Sequence, residues 1–152
     1  SGLLIENSAT YPAEGEMQAR FTDAPFPFPS FEIKDNLSIY SSDFSGHLPD
    51  YRIYIGNYYE DGIEQTRNIL SIVIYKGVTG PTHSLANNDK VLIQYNRINK
   101  EGLFTAHAGE LQLDNDPTDD KGSGRFTCLF KRDDIGEFKV EGSFNLSRIE
   151  TK

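Results

Sequence analysis

Glu137-Phe138-Lys139-Val140-Glu141-Gly142-Ser143-Phe144-Asn145-Leu146 decides the fold. Phe138, Val140, Phe144 and Leu146 alternate with Glu137, Lys139, Glu141, Ser143 and Asn145. In an extended strand successive side chains point to opposite faces, so this order gives one apolar and one polar face. A helix would scatter the same residues around its circumference. Gly142 falls on the apolar face, where a bulge, a bend or a close backbone approach is the usual reason for glycine.

The same alternation recurs along the chain. Met17, Ala19 and Phe21 share a face, as do Phe126, Cys128 and Phe130, and Val91, Ile93 and Tyr95. Ile98-Asn99-Lys100-Glu101-Gly102 joins a strand at 91–97 to one at 103–113, and Arg132-Asp133-Asp134-Ile135-Gly136 joins 125–131 to 137–146. Short polar connections ending in glycine connect antiparallel neighbours. No segment carries a helical stripe, and only short turns near Leu85-Ala86-Asn87 or Ile63-Glu64-Gln65 leave room for a helix. The pattern predicts one all-β domain over residues 1–152, with 1–15 as an extended or poorly ordered N-terminal segment. The expected architecture is an antiparallel, jelly-roll-like β-sandwich of about eight strands, with a small closed β-barrel as the alternative.

Asp61-Gly62 predicts a two-residue type I′ hairpin turn, because both central residues need positive φ. That turn pairs Tyr51 with Ile72, Ile53 with Leu70 and Ile55 with Asn68 on one face, and Tyr54 with Ile69 on the other. Tyr51 is then a core residue. Asp35 shares the parity of Phe31, Ile33, Leu37 and Ile39, which would turn a carboxylate inward. A break at Lys34-Asp35-Asn36, good turn material, removes the conflict. Pro25-Phe26-Pro27-Phe28-Pro29 reads as an extended connector whose phenylalanines cover the domain's own core.

Composition excludes several functions. The net charge is -8 and the isoelectric point about 4.8, and the basic pair Lys131-Arg132 is followed at once by Asp133-Asp134. Phosphate backbones need clustered cations, so nucleic acid is not an expected partner. Mean hydropathy is -0.52 and no apolar run is long enough to span a bilayer, which predicts a soluble chain. The opening Ser1-Gly2-Leu3-Leu4-Ile5 has no signal-peptide pattern, a removed leader is compatible with it, and the compartment stays open. The lone Cys128 permits no intrachain disulfide and reads as a core thiol. His47, His83 and His107 lack metal-ligand spacing. There is no nucleophile elbow, P-loop, dinucleotide fingerprint or His-Glu-x-x-His, so no catalytic residue is assigned and a non-enzymatic role is expected.

Two candidate sites remain. Tyr54, Tyr58 and Tyr59 lie in one arm of the Asp61-Gly62 hairpin, where aromatic rings can anchor a protein or stack on a sugar. Asp114, Asp116, Asp119 and Asp120 crowd one loop, and calcium takes six to eight oxygens. The loop departs from the EF-hand pattern, with Asp119 at the glycine position and Arg125 at the glutamate position. Three functional readings follow: a non-catalytic module contacting a protein or carbohydrate, a lipocalin-like barrel binding or transforming a small molecule, and a calcium-stabilised structural or adhesive domain.

Overall fold

The computed structural model describes residues 8–26, 30–43, 50–60 and 66–149. Among the described residues ten strands form in chain order: β1 (Ala9–Thr22), β2 (Ser30–Ile33), β3 (Leu37–Ser41), β4 (Tyr51–Tyr59), β5 (Arg67–Tyr75), β6 (Thr82–Ser84), β7 (Val91–Arg97), β8 (Gly102–Leu113), β9 (Lys121–Arg132) and β10 (Gly136–Arg148). The described residues contain no helix, so none is long and apolar enough to cross a membrane.

All pairings are antiparallel, and the sheet closes on itself. The order β10-β9-β8-β7-β5-β4-β3-β1 returns to β10 through the β1 ladder from Ala13↔Arg148 to Thr22↔Lys139. The all-β reading stands as a closed eight-stranded barrel with β2 and β6 as added strands, and the preferred sandwich gives way to the alternative. The reason is β1. Residues 9–13 pair with β3, residues 13–22 pair with β10, and the one long strand leaves no open edge between the first and last parts of the meander.

Alternation places the core as expected. Met17, Ile39, Ile72, Ile93, Leu111, Cys128, Phe130 and Leu146 are fully enclosed, and burying a side chain of this size stabilises by about 1.5–3 kcal/mol. Gly142 faces inward against the Gln18 carbonyl and the Phe126 ring, each 2.4 Å from where a Cβ would sit, which is the close approach the sequence implied. The side-chain parity of β8 switches at a bulge between Ala106 and Ala108, so that both Phe104 and Leu111 point inward.

The break at Asp35 is present. β2 and β3 both pair with β1 in one continuing register, but the chain bends out at 34–36, with Asn36 at φ 61°, and Asp35 is exposed. Beyond this bend β2 stays on β1 and forms no ladder with β4, and a notch lined by Glu32, Lys34, Asn57, Tyr58 and Tyr59 lies between them.

The β4–β5 register is corrected by three residues. Tyr51 pairs with Tyr75, Tyr54 with Ile72, Gly56 with Leu70 and Tyr58 with Asn68. An odd shift turns β4 over, so Tyr54 faces the core while Tyr51, Ile53 and Ile55 face outward. Gly56 explains the choice. Its inward position lies against Met17 Sδ and Ile33 Cδ1, 2.6 and 2.8 Å from a built Cβ, so only the smallest residue fits there. The Asp61-Gly62 turn itself lies outside the described residues.

Candidate functional site

The two ends of the barrel differ in chemistry. One end is reached by the connections after β1, β4, β7 and β9, and its interior is aromatic. Phe21, Phe26, Tyr95, Phe104, Phe130 and Phe138 form a continuous cluster with centroid separations between 5.1 and 6.5 Å. Phe31 on β2 joins it through Phe21 and stacks flat on Tyr58 at 4.9 Å.

A polar network is built into this aromatic end. The Tyr95 hydroxyl donates to Asn68 Oδ1, and Asn68 Nδ2 donates to Glu60 Oε2 at 2.8 Å. Arg97 grips Glu60 with Nε and Nη2 at 2.8 and 2.7 Å, and donates from Nη1 to both oxygens of Glu101 at 2.7 and 2.8 Å. Asn68 is fully enclosed, and the side chains of Arg97, Glu60 and Glu101 are 9%, 11% and 22% exposed. Forked guanidinium–carboxylate contacts are the strong form of such pairs, and they satisfy charges that would otherwise be costly to bury. The Glu60 hydrogen bond foremost, with Glu101 adding, holds the Arg97 guanidinium above its ordinary pKa against the opposing effect of burial. Burial pushes the Tyr95 phenol up, so it remains a proton donor. Arg97 also places its guanidinium 5.4 Å from the centroid of Phe26, and Arg132 lies 4.5 Å over Phe104 while donating to the carbonyls of Glu101 and Leu103.

The opposite end is covered by the aspartate loop. Asp119 Oδ1 accepts from Arg52 Nε at 2.6 Å and Ser41 Oγ at 2.9 Å, and the Tyr54 hydroxyl donates to the Thr118 carbonyl at 2.8 Å. The Tyr54 ring packs on Gly122, whose built Cβ would lie 2.3 Å from it. Burial pushes the Tyr54 phenol up. The other aspartates go separate ways: Asp114 accepts from Ser123 Oγ at 2.6 Å, Asp116 from the Gly80 amide at 3.4 Å, and Asp120 faces Arg148 at 3.8 Å. Among the described residues no three His, Cys, Asp or Glu side chains gather to hold a metal.

The three tyrosines of the hairpin arm are therefore split. Tyr54 is fully enclosed, a correction that follows from the register. Tyr58 is half-buried on Phe31, and Tyr59 is 46% exposed. A different tyrosine row lies on the outer wall, where Tyr51 packs between Tyr40 and Tyr75 at 5.9 and 5.7 Å. Phe26 is buried, as the connector reading expects, while Phe28 lies outside the described residues. His83 contacts the Gly80 carbonyl and His107 the Glu137 carboxylate; His47 lies outside the described residues. Cys128 is enclosed, and burial pushes its thiol up, away from nucleophilic character.

The sequence reading missed Glu60, Asn68, Tyr95, Arg97 and Glu101 as a group. The signal was present for two of them: Asn68 shares the face of Leu70 and Ile72, and Arg97 that of Ile93 and Tyr95. A polar side chain on the apolar face is the informative exception. No protein-family model, curated protein or solved structure matches this chain.

Proposed function

We propose that the protein is a small-molecule-binding barrel whose ligand enters the aromatic end. The observation that supports this most is the buried Tyr95–Asn68–Glu60–Arg97–Glu101 network set among aromatic rings. Ligand sites combine mostly apolar walls with a few convergent polar groups, and they occupy the mouths of barrels. A barrel needs only apolar side chains to fill its interior, and an ion pair enclosed there stabilises little compared with apolar residues of equal volume. A neutral apolar dye, N-phenyl-1-naphthylamine, tests the reading. Saturable one-to-one binding is expected, with NMR shift changes concentrated on Tyr95, Phe104 and Phe138.

A second reading, contact with another protein, draws on the outer wall. β3, β4, β5 and β7 contain no Asp or Glu, and Tyr40, Ile53, Val73 and Leu92 lie side by side across these four strands. Tyr40, Ile53 and Leu92 are half-buried and Val73 is covered by its neighbours, and an apolar strip without opposing acidic groups is a surface that a protein partner can cover. Dye binding that fails to saturate, or shift changes confined to Tyr40, Tyr51 and Tyr75, would remove the first reading and favour the second.

A further inference from the structure

Of the buried hydrophobic residues described, only Phe26 and Leu85 lie outside the strands. Phe26 belongs to the connection between β1 and β2 and follows Pro25, which has no amide proton to give to a sheet. Its ring nevertheless sits inside the aromatic end. Among the described residues, four rings meet it at steep angles: Phe138 at 5.2 Å and 88°, Tyr95 at 5.5 Å and 66°, Phe21 at 5.7 Å and 83°, and Phe104 at 5.8 Å and 75°. The Arg97 guanidinium lies 5.4 Å from its centroid.

The geometry points to Phe26 as a built-in occupant of the ligand site, and to a ligand class of neutral, planar aryl compounds that take its place. This inference rests on the small-molecule reading of the aromatic end and narrows it. Edge-to-face contacts depend on the negative face and positive edge of an aromatic ring, so a box of four such contacts selects a flat aromatic ring over a saturated one of equal size. The guanidinium favours an electron-rich π face and opposes a cationic ligand. Phe26 comes from a connection and not from the barrel wall, so it can leave without breaking the ladder of any barrel strand. A ligand must displace it, and its affinity is reduced by the small fraction of molecules in which the seat is open.

Two variants and two probes test this. Toluene carries the ring that Phe26 supplies, and methylcyclohexane has similar bulk without a π system. Phe26→Ala, checked as folded by circular dichroism, is expected to bind toluene at least tenfold more tightly than the unaltered protein does. It should also bind toluene at least tenfold more tightly than methylcyclohexane, both read from the ligand-dependent rise in melting temperature. The chain has no tryptophan, so Phe26→Trp gives a single reporter for use even where Phe26→Ala does not fold. Its emission should be blue-shifted without ligand and move to the red as toluene expels the indole into water. Equal binding of the two probes to Phe26→Ala overturns the aryl class while leaving a small-molecule site in place. Binding of neither by a folded Phe26→Ala overturns both. Emission from Phe26→Trp that stays blue at saturating toluene overturns the displacement.

Discussion

Each end of the barrel buries a tyrosine hydroxyl, and the contrast lies in what receives it. At the aspartate-covered end Tyr54 donates to the backbone carbonyl of Thr118, a loop residue whose own side chain is exposed. At the aromatic end Tyr95 donates to the side chain of Asn68, which passes to Glu60, Arg97 and Glu101. A backbone carbonyl at a loop keeps access to solvent when its donor is removed. A side-chain acceptor enclosed among aromatic rings does not, so its loss leaves an unsatisfied group in a low dielectric. The first arrangement tolerates change, and the second propagates it.

Removing the cation from each end gives the largest expected difference. Arg97→Ala takes away the guanidinium that both Glu60 and Glu101 face, and breaking an enclosed pair in this way costs about 3–5 kcal/mol. Arg52→Ala exposes only Asp119, whose side chain is 40% accessible and keeps its bond from Ser41; a pair of that kind is worth no more than about 1 kcal/mol. Urea unfolding at neutral pH with an unchanged denaturant slope measures both. Equal losses would mean that water reaches the Arg97 network, and the contrast between the ends would be lost.

The strands were legible because alternation depends on local residues. Phe138, Val140, Phe144 and Leu146 point inward in a sandwich and in a barrel alike, so their pattern fixed the strand and its face but not the closure. Closure depends on β1 pairing with β3 and β10 at once, a long-range fact with no local signature. The hairpin register failed for a related reason. Asp61-Gly62 is a strong turn signal, yet the fit of Gly56 against Met17 and Ile33, which lie far away in sequence, governs which face of β4 turns inward. The site was hidden because its members come from β5, β7 and the connections after β4 and β7, and no two adjacent residues announce it. Asn68 and Arg97, polar groups at inward positions, were the visible trace.

The tyrosine hydroxyls give a second, smaller contrast. Tyr95→Phe leaves Asn68 Oδ1 without its donor and should cost about 1–3 kcal/mol, whereas Tyr54→Phe should cost nearer 1 kcal/mol. Their pH dependence has a definite sign. Burial raises both phenols in the folded state above the unfolded value of about 10. Below that value both states are protonated and stability is intact. Above it the unfolded chain ionises first, and stability falls as pH rises. Melting temperatures between pH 7 and pH 11 should decline along this alkaline limb, and each phenylalanine variant should flatten it. A limb unchanged in both variants would mean that neither hydroxyl is held away from water.

The smallest effect expected belongs to Asp119. Burial works against its charge, but the hydrogen bonds from Arg52 and Ser41, together with the positive charges of Arg52 and Lys76, prevail and hold its carboxyl below the usual aspartate range. A depressed value means that the contribution is present above the unfolded pKa of about 3.9 and is lost as pH falls through and below it. With so much of the side chain in solvent, screening limits the contribution to less than about 1 kcal/mol, which for a chain of this size is less than about 4 °C in melting temperature. Asp119→Asn should therefore melt slightly lower than the unaltered protein at pH 7. The gap should shrink in high salt and close as pH falls through the depressed folded-state value. A gap that persists in acid would mean that Asp119 holds this loop through the hydrogen bonding of its side chain, such as the bond from Ser41, and not through its charge, and solvent screening would then not be what keeps this end tolerant.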